Sequence, residues 1–204
     1  MSSKFANLEK ELSSELGASV SQSVAAYLKA SRGNSPTASF QQLSGLMQNI
    51  AAHSNLELDL ALDTSYLVTT LVRRLPALQL QVTQALSLAR QVTQAGSFTP
   101  DTYIALSAAN QKLPLMIAQT QQSLQVSWNA NPAVNNRLAQ QWKSLESSLN
   151  SLQQNIQKDI LDPDQINFLV EKIMSRGTVA DKSITDFDNQ VTPVLADYFA
   201  SKDR

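Results

Sequence analysis

The sequence predicts an all-α protein: an elongated antiparallel four-helix bundle with additional N-terminal helices, about six helices in all. Three observations predict it. Apolar residues recur every three or four positions over long stretches, the period of a helix face. Only 5 glycines occur in 204 residues, too few for a chain built on tight turns. Helix start signals, Thr99-Pro100-Asp101 and Asn131-Pro132 among them, punctuate the runs. No stretch shows the two-residue alternation of a half-buried strand.

The first helix is expected over residues 4–31, with Phe5, Leu8, Leu12, Leu16, Val20, Val24 and Leu28 on one face. The loop Ser31-Arg32-Gly33-Asn34-Ser35-Pro36 ends it. A shorter second helix follows over about 37–53, with Phe40, Leu43, Leu46, Met47 and Ile50 aligned. A non-periodic polar stretch from Ser54 leads into the third helix, which Asp63, Thr64 or Ser65 is placed to cap. That helix carries Leu67, Leu71, Leu75, Leu78, Val82, Leu86, Ala89 and Val92, and Gly96 suits its C-terminal cap.

Thr99-Pro100-Asp101 opens the fourth helix: a cap, a proline in the first turn, and an acid at the positive end of the dipole. Its seam reads Tyr103, Leu106, Asn110, Leu113, Ile117, Thr120 and Leu124. The fifth helix follows Asn131-Pro132 and shows Leu138, Trp142, Leu145, Leu149, Leu152 and Ile156. Asp162-Pro163-Asp164 signals the sixth, with Ile166, Val170, Ile173, Gly177, Ala180, Ile184, Phe187, Val191, Val194 and Tyr198 spaced alternately by four and three. That average of 3.5 residues is the coiled-coil period.

Helix lengths suggest how the pieces assemble. Short connections make neighbouring helices antiparallel. A sixth helix of roughly 40 residues would be about 60 Å long, longer than its partners. It overshoots the end that holds the turn near residue 130. The first helix would rise beside that overhang, and the second would return to the foot of the third. Residues 1–204 are read as a single domain, with no separating linker and both termini at one end.

Composition limits the chemistry. Hydrophobic residues make up 43% and charged residues 16%, and the net charge is −1, so no general field attracts nucleic acid and no nucleic-acid partner is expected. With no cysteine there is no thiol nucleophile, disulfide framework or thiolate metal site. No apolar run has the length of a membrane span. No nucleophile–base set, phosphate-binding loop or paired metal-ligand motif is present, so neither enzymatic activity nor a cofactor is expected. His53 with Asp59 and Asp63 lacks the rest of a metal shell.

The segment Ser54-Asn55-Leu56-x-Leu58-Asp59-x-x-Leu62-Asp63-x-x-Tyr66-Leu67, followed by Arg74-Leu75-Pro76-x-Leu78, resembles one in the periplasmic helical-bundle sensor domain of bacterial transmembrane receptors. These receptors are methyl-accepting chemotaxis proteins and relatives with diguanylate cyclase or histidine kinase outputs. The closing segment Phe187 to Phe199 is similar in pattern. This chain has Asp59-Leu60-Ala61 where the usual pattern is Asp-Pro-Asp, and Ser65-Tyr66 where it is a double tyrosine. The resemblance implies a periplasmic ligand-binding domain of an inner-membrane protein, held between two transmembrane helices. It also implies a homodimer, with the first helix as dimer face, a small-molecule ligand, and an intracellular output domain. The alternative reading is a soluble helical interaction or scaffold protein, whose Ser/Gln-rich faces are partner surfaces.

Candidate ligand-binding residues are Asn55, Asp63, Tyr66, Arg73, Arg74 and Lys112. From Asp63, positions Tyr66, Thr70 and Arg73 or Arg74 share one helical stripe beside the apolar stripe of Leu67, Leu71 and Leu75. A guanidinium holds a carboxylate by two parallel hydrogen bonds, so an anionic ligand is the natural guest. The same residues also serve an ordinary bundle: Asp63 as a cap, Tyr66 at the rim, the arginines solvated. Pro76 and Pro114 interrupt their helices, each behind a basic residue and a leucine, Arg74-Leu75 and Lys112-Leu113. Folding the hairpin about residue 95 sets them at one level. That layer reads either as a kinked, cation-rich anion site or as a bend that lets the bundle curve.

Overall fold

The computed structural model describes residues 18–33, 36–53, 61–163 and 170–202. Among them are six helices and no strand, an all-α bundle. We number them α1 (Ala18–Ser31), α2 (Pro36–His53), α3 (Leu62–Thr69, the wide turn Thr70–Arg74, then Leu75–Ala95), α4 (Pro100–Ala130), α5 (Pro132–Ile156, running on into a wide turn Gln157–Leu161) and α6 (Val170–Lys202). Asn55, Leu56, Leu58 and Asp59 lie outside the described residues, as do 4–17 of the expected first helix and the start expected at Asp164.

Helices α3 to α6 form a four-membered ring: α3 packs on α4, α4 on α5, α5 on α6, and α6 back on α3. The chain supplies each helix with one apolar stripe, and the ring buries all four stripes against each other. On α5 every expected seam residue, Leu138, Trp142, Leu145, Leu149, Leu152 and Ile156, is buried. Each such side chain contributes about 1.5–3 kcal/mol by leaving water. The ring of Trp142 meets that of Phe187 on α6 edge to face at 5.6 Å.

Local chemistry sets the joints. Gly96 adopts φ 67°, the left-handed conformation that ends α3. Thr99 and Thr102 form a reciprocal capping box at the start of α4, and the Asn131 side chain accepts from the Ala133 amide to start α5. Between α3 and α4, Gln81 Nε2 donates to the Ala109 carbonyl at 2.9 Å, and Ser127 Oγ donates to the Asp63 carbonyl at 2.8 Å. Both pairs are centred on position 95, so the hairpin folds there and sets Pro76 and Pro114 at a common level.

The α3 helix departs from the simple expectation in two ways. It starts at Leu62 with Ala61 as a cap that offers no side-chain bond, so Asp63, Thr64 and Ser65 sit in the first turn rather than capping it. It also passes through a π-helical turn at Thr70–Arg74, where the Leu75 amide reaches back five residues to the Thr70 carbonyl. Pro76 has no amide to give, and the extra residue in the turn absorbs that break in the ladder.

The described part of α1 packs on α2, and α2 packs on α3 at and after the wide turn; residues 4–17 of the helix expected beside the overhang of α6 lie outside the described residues. Val20, Val24 and Leu46 form a small core of the N-terminal hairpin's own, separate from the main core of the ring. No helix among the described residues is long and apolar enough to cross a membrane.

Candidate functional site: a cation-lined groove between α3 and α4

The outer face of the α3–α4 hairpin carries a groove. Its larger cavity, about 520 Å³, is lined by Ser65, Thr69, Arg73, Arg74 and Ala77 of α3 and by Met116, Gln119 and Thr120 of α4. That volume lies in the range of small-molecule sites. Gln81, Gln84, Ser87 and Leu88 of α3 and Ala105, Ala108, Ala109 and Lys112 of α4 line a second cavity of about 440 Å³. Spacings of three and four residues link the two linings on both helices, so the cavities lie along one helical stripe of each. Among the described residues that line the two cavities, Arg73, Arg74 and Lys112 are the cations and none is acidic.

Arg73 and Arg74, the last two residues of the π turn, both line the larger cavity. Arg74 is half-buried, and its Nη1 donates to Gln119 Oε1 at 3.2 Å across the hairpin. Its Nε is buried and has no acceptor among the described residues. An arginine steered by an amide through Nη1 still has guanidinium donors left for an oxyanion. Thr120 is buried, with its hydroxyl committed to the Met116 carbonyl at 2.8 Å. Ser65 and Thr69 add hydroxyls at the other end.

The structure thus brings together three of the six residues that the sequence marks. Asp63 and Tyr66 are elsewhere. Asp63 Oδ2 accepts from the Asn131 side chain at 2.9 Å, tying the start of α3 to the start of α5, and it borders a different cavity that includes Arg137, Asp197 and Tyr198. Tyr66 is 36% exposed and does not line the groove; its carbonyl accepts from Thr70 Oγ1 at 2.8 Å. Thr70 is fully buried in the core. The expected stripe Asp63–Tyr66–Thr70 therefore gives way to its neighbour, Ser65–Thr69–Arg73, because Thr64, Leu67, Val68 and Thr70 take the core face. Asn55 lies outside the described residues.

Sequence reasoning missed Ser65, Thr69, Met116 and Gln119 as lining residues. Signals were present for two of them: Ser65 and Thr69 stand eight and four positions before Arg73, two turns and one turn along the same face. Comparison with family models, with curated proteins and with solved structures finds no match.

Proposed function

We propose that this chain is a sensor domain of a transmembrane signalling receptor, and that its α3–α4 groove binds a small organic anion. The single observation behind the binding site is that Arg73 and Arg74 line one cavity of the groove and Lys112 the next, with no carboxylate among the described residues that line them. Hydroxyls and an amide at Ser65, Thr69 and Gln119 would orient the guest, and Met116 and Ala77 would cover its apolar part. Ligand binding would be read out where the π turn joins the two halves of α3. A guest held by Arg73 and Arg74 biases that turn, and with it the packing of α3 on its neighbours. The sequence resemblance supports the receptor part of the proposal, including a periplasmic location, two flanking membrane spans and a homodimer.

A thermal-shift screen over organic acids, amino acids and amines tests the binding site. A ligand at 100 times its dissociation constant adds about 2.7 kcal/mol, which in a chain of this size raises Tm by roughly 5–11 °C. The shift is expected from acids, and Arg74→Ala should abolish it while Tyr66→Phe leaves it in place. Shifts from amines alone, or acid shifts indifferent to Arg73→Ala and Arg74→Ala, reject the site. Reading the parent gene on both sides tests the receptor: an apolar span is expected on each flank, and a natural stop codon directly after Arg204 refutes it.

A further inference from the structure

A cavity of about 220 Å³ lies between the N-terminal hairpin and the ring. From α2 it is lined by Phe40, Leu43, Ser44 and Met47, from α3 by Leu75, Pro76 and Gln79, and from α6 by Asp181, Ile184, Thr185 and Asp188. We propose that the hairpin is an acid-sensitive clasp: protonation of Asp181 and Asp188 closes α2 onto α6 and tightens the docking of α1 and α2 on the ring.

The geometry carries this in three steps. First, the hairpin is a separable unit, with its own small core and its main attachment through α2 to α3. Second, the cavity stands where α2 faces α6, so the two helices are not in close packing there. Third, among the described residues that line the cavity, only those of α6 are charged. Helix α2 has no ionisable residue before His53, whose side chain lies outside the described residues, and α3 offers only the amide of Gln79.

Among the described residues, no cation answers the two carboxylates. The Gln79 side chain donates to Asp181, while Asp188 is half-buried with no hydrogen-bond or charged partner among the described residues. On α6 itself, Lys182 is paired with Asp186 at 2.8 Å and Arg176 with Asp159 of the turn after α5. Lys143 and Glu146, on the α5 side of α6, do not line the cavity, and neither do Arg73 and Arg74, which line the opposite groove. An ionised carboxylate keeps water and holds a helix of Phe, Leu and Met away; a protonated one does not. Burial raises both carboxyls above the ordinary aspartate range. The sign follows: a group whose folded pKa is raised stabilises the closed form fully below its unfolded value, and that stabilisation is lost as pH rises through the folded value. Acidification toward the aspartate range therefore closes the clasp. This input is separate from the anion groove and holds whether or not that groove binds a ligand.

Amide hydrogen exchange on the whole chain tests it, with rates corrected for their intrinsic pH dependence and α2 compared with α5. Protection of α2 relative to α5 should rise as pH falls from about 7 to about 4, by at most about tenfold per pH unit for each carboxylate. In the variant Asp181→Asn/Asp188→Asn, which keeps an acceptor for Gln79, protection should already be high at pH 7 and flat below it. Should that variant fold poorly, Asp188→Asn alone is expected to reduce the slope. Asp186→Asn, in the exposed pair with Lys182, should leave it intact. A flat ratio in the wild type, a wild-type slope in the Asn variants, or a slope abolished by Asp186→Asn would each overturn the proposal.

Discussion

Replacing Gly177 with Ala sets two effects of known size against each other. Gly177 lies inside α6, where glycine costs about 1 kcal/mol relative to alanine through backbone entropy. On propensity alone the substitution would stabilise the protein. Yet Gly177 packs directly against Leu86 of α3. A Cβ there would sit 2.6 Å from Leu86 Cδ2 and 3.0 Å from Leu86 Cγ, and closer still to Cδ1. Carbon atoms prefer about 3.5–4.0 Å, so Leu86 must leave its rotamer or the helices must part. Overpacking of this kind costs about 1–3 kcal/mol, giving a net loss of about 0–2 kcal/mol. The clean test is a double-mutant cycle by urea unfolding followed by circular dichroism. With Leu86 shortened to Ala the obstacle is gone, and adding Gly177→Ala should now stabilise by about 1 kcal/mol. The coupling between the sites is therefore about 1–3 kcal/mol, with the effect of Gly177→Ala changing sign between backgrounds or vanishing in the wild type. A full gain of about 1 kcal/mol in both backgrounds would show that the helices are not in contact there.

Other substitutions separate structural from ligand-directed roles. Asp63→Ala removes the partner of Asn131 and should destabilise by about 1–2 kcal/mol in the same assay, with no effect on anion binding. Thr99→Ala breaks the capping box of α4 and should cost about 1 kcal/mol. Leu149→Ala, in the centre of the α5 seam, should cost about 2–5 kcal/mol and lower Tm accordingly.

Where the sequence was legible, one physical rule dominated locally. Helix α5 is strongly polar outside its seam, so its large apolar positions from Leu138 to Ile156 had one reading and all are buried. The seam of α6 was equally plain from Ile173 to Val194, down to the small residues Gly177 and Ala180, both buried, while Val170 and Tyr198 at its ends are only partly buried. On α4, the buried polar residues Asn110 and Thr120 were placed correctly in the seam. Helix α3 was harder. Beyond Val82 the true seam is Ala85, Ala89 and Val92, and Leu86 stands beside it, only partly buried, because an alanine in a seam is a weaker signal than a leucine next to it. The π turns were not legible at all. Pro76 announced a broken hydrogen-bond ladder, but whether the helix kinks or takes in an extra residue depends on what packs around it. The turn at Gln157–Leu161 had no comparable herald; there Gln157 Oε1 accepts from Asn110 Nδ2 at 3.2 Å, a contact between distant stretches of chain.

The claim at the centre is that a small anion binds between α3 and α4 at Arg73 and Arg74. A ¹H–¹⁵N NMR titration of the whole chain with the organic acid giving the largest thermal shift addresses it directly. Saturable shifts are predicted to concentrate at Ser65, Thr69, Arg73 to Ala77 and Met116 to Thr120, and to disappear in Arg73→Ala/Arg74→Ala. Shifts centred on the Asp63–Arg137 end of the bundle, or on the α2–α6 cavity, would contradict it.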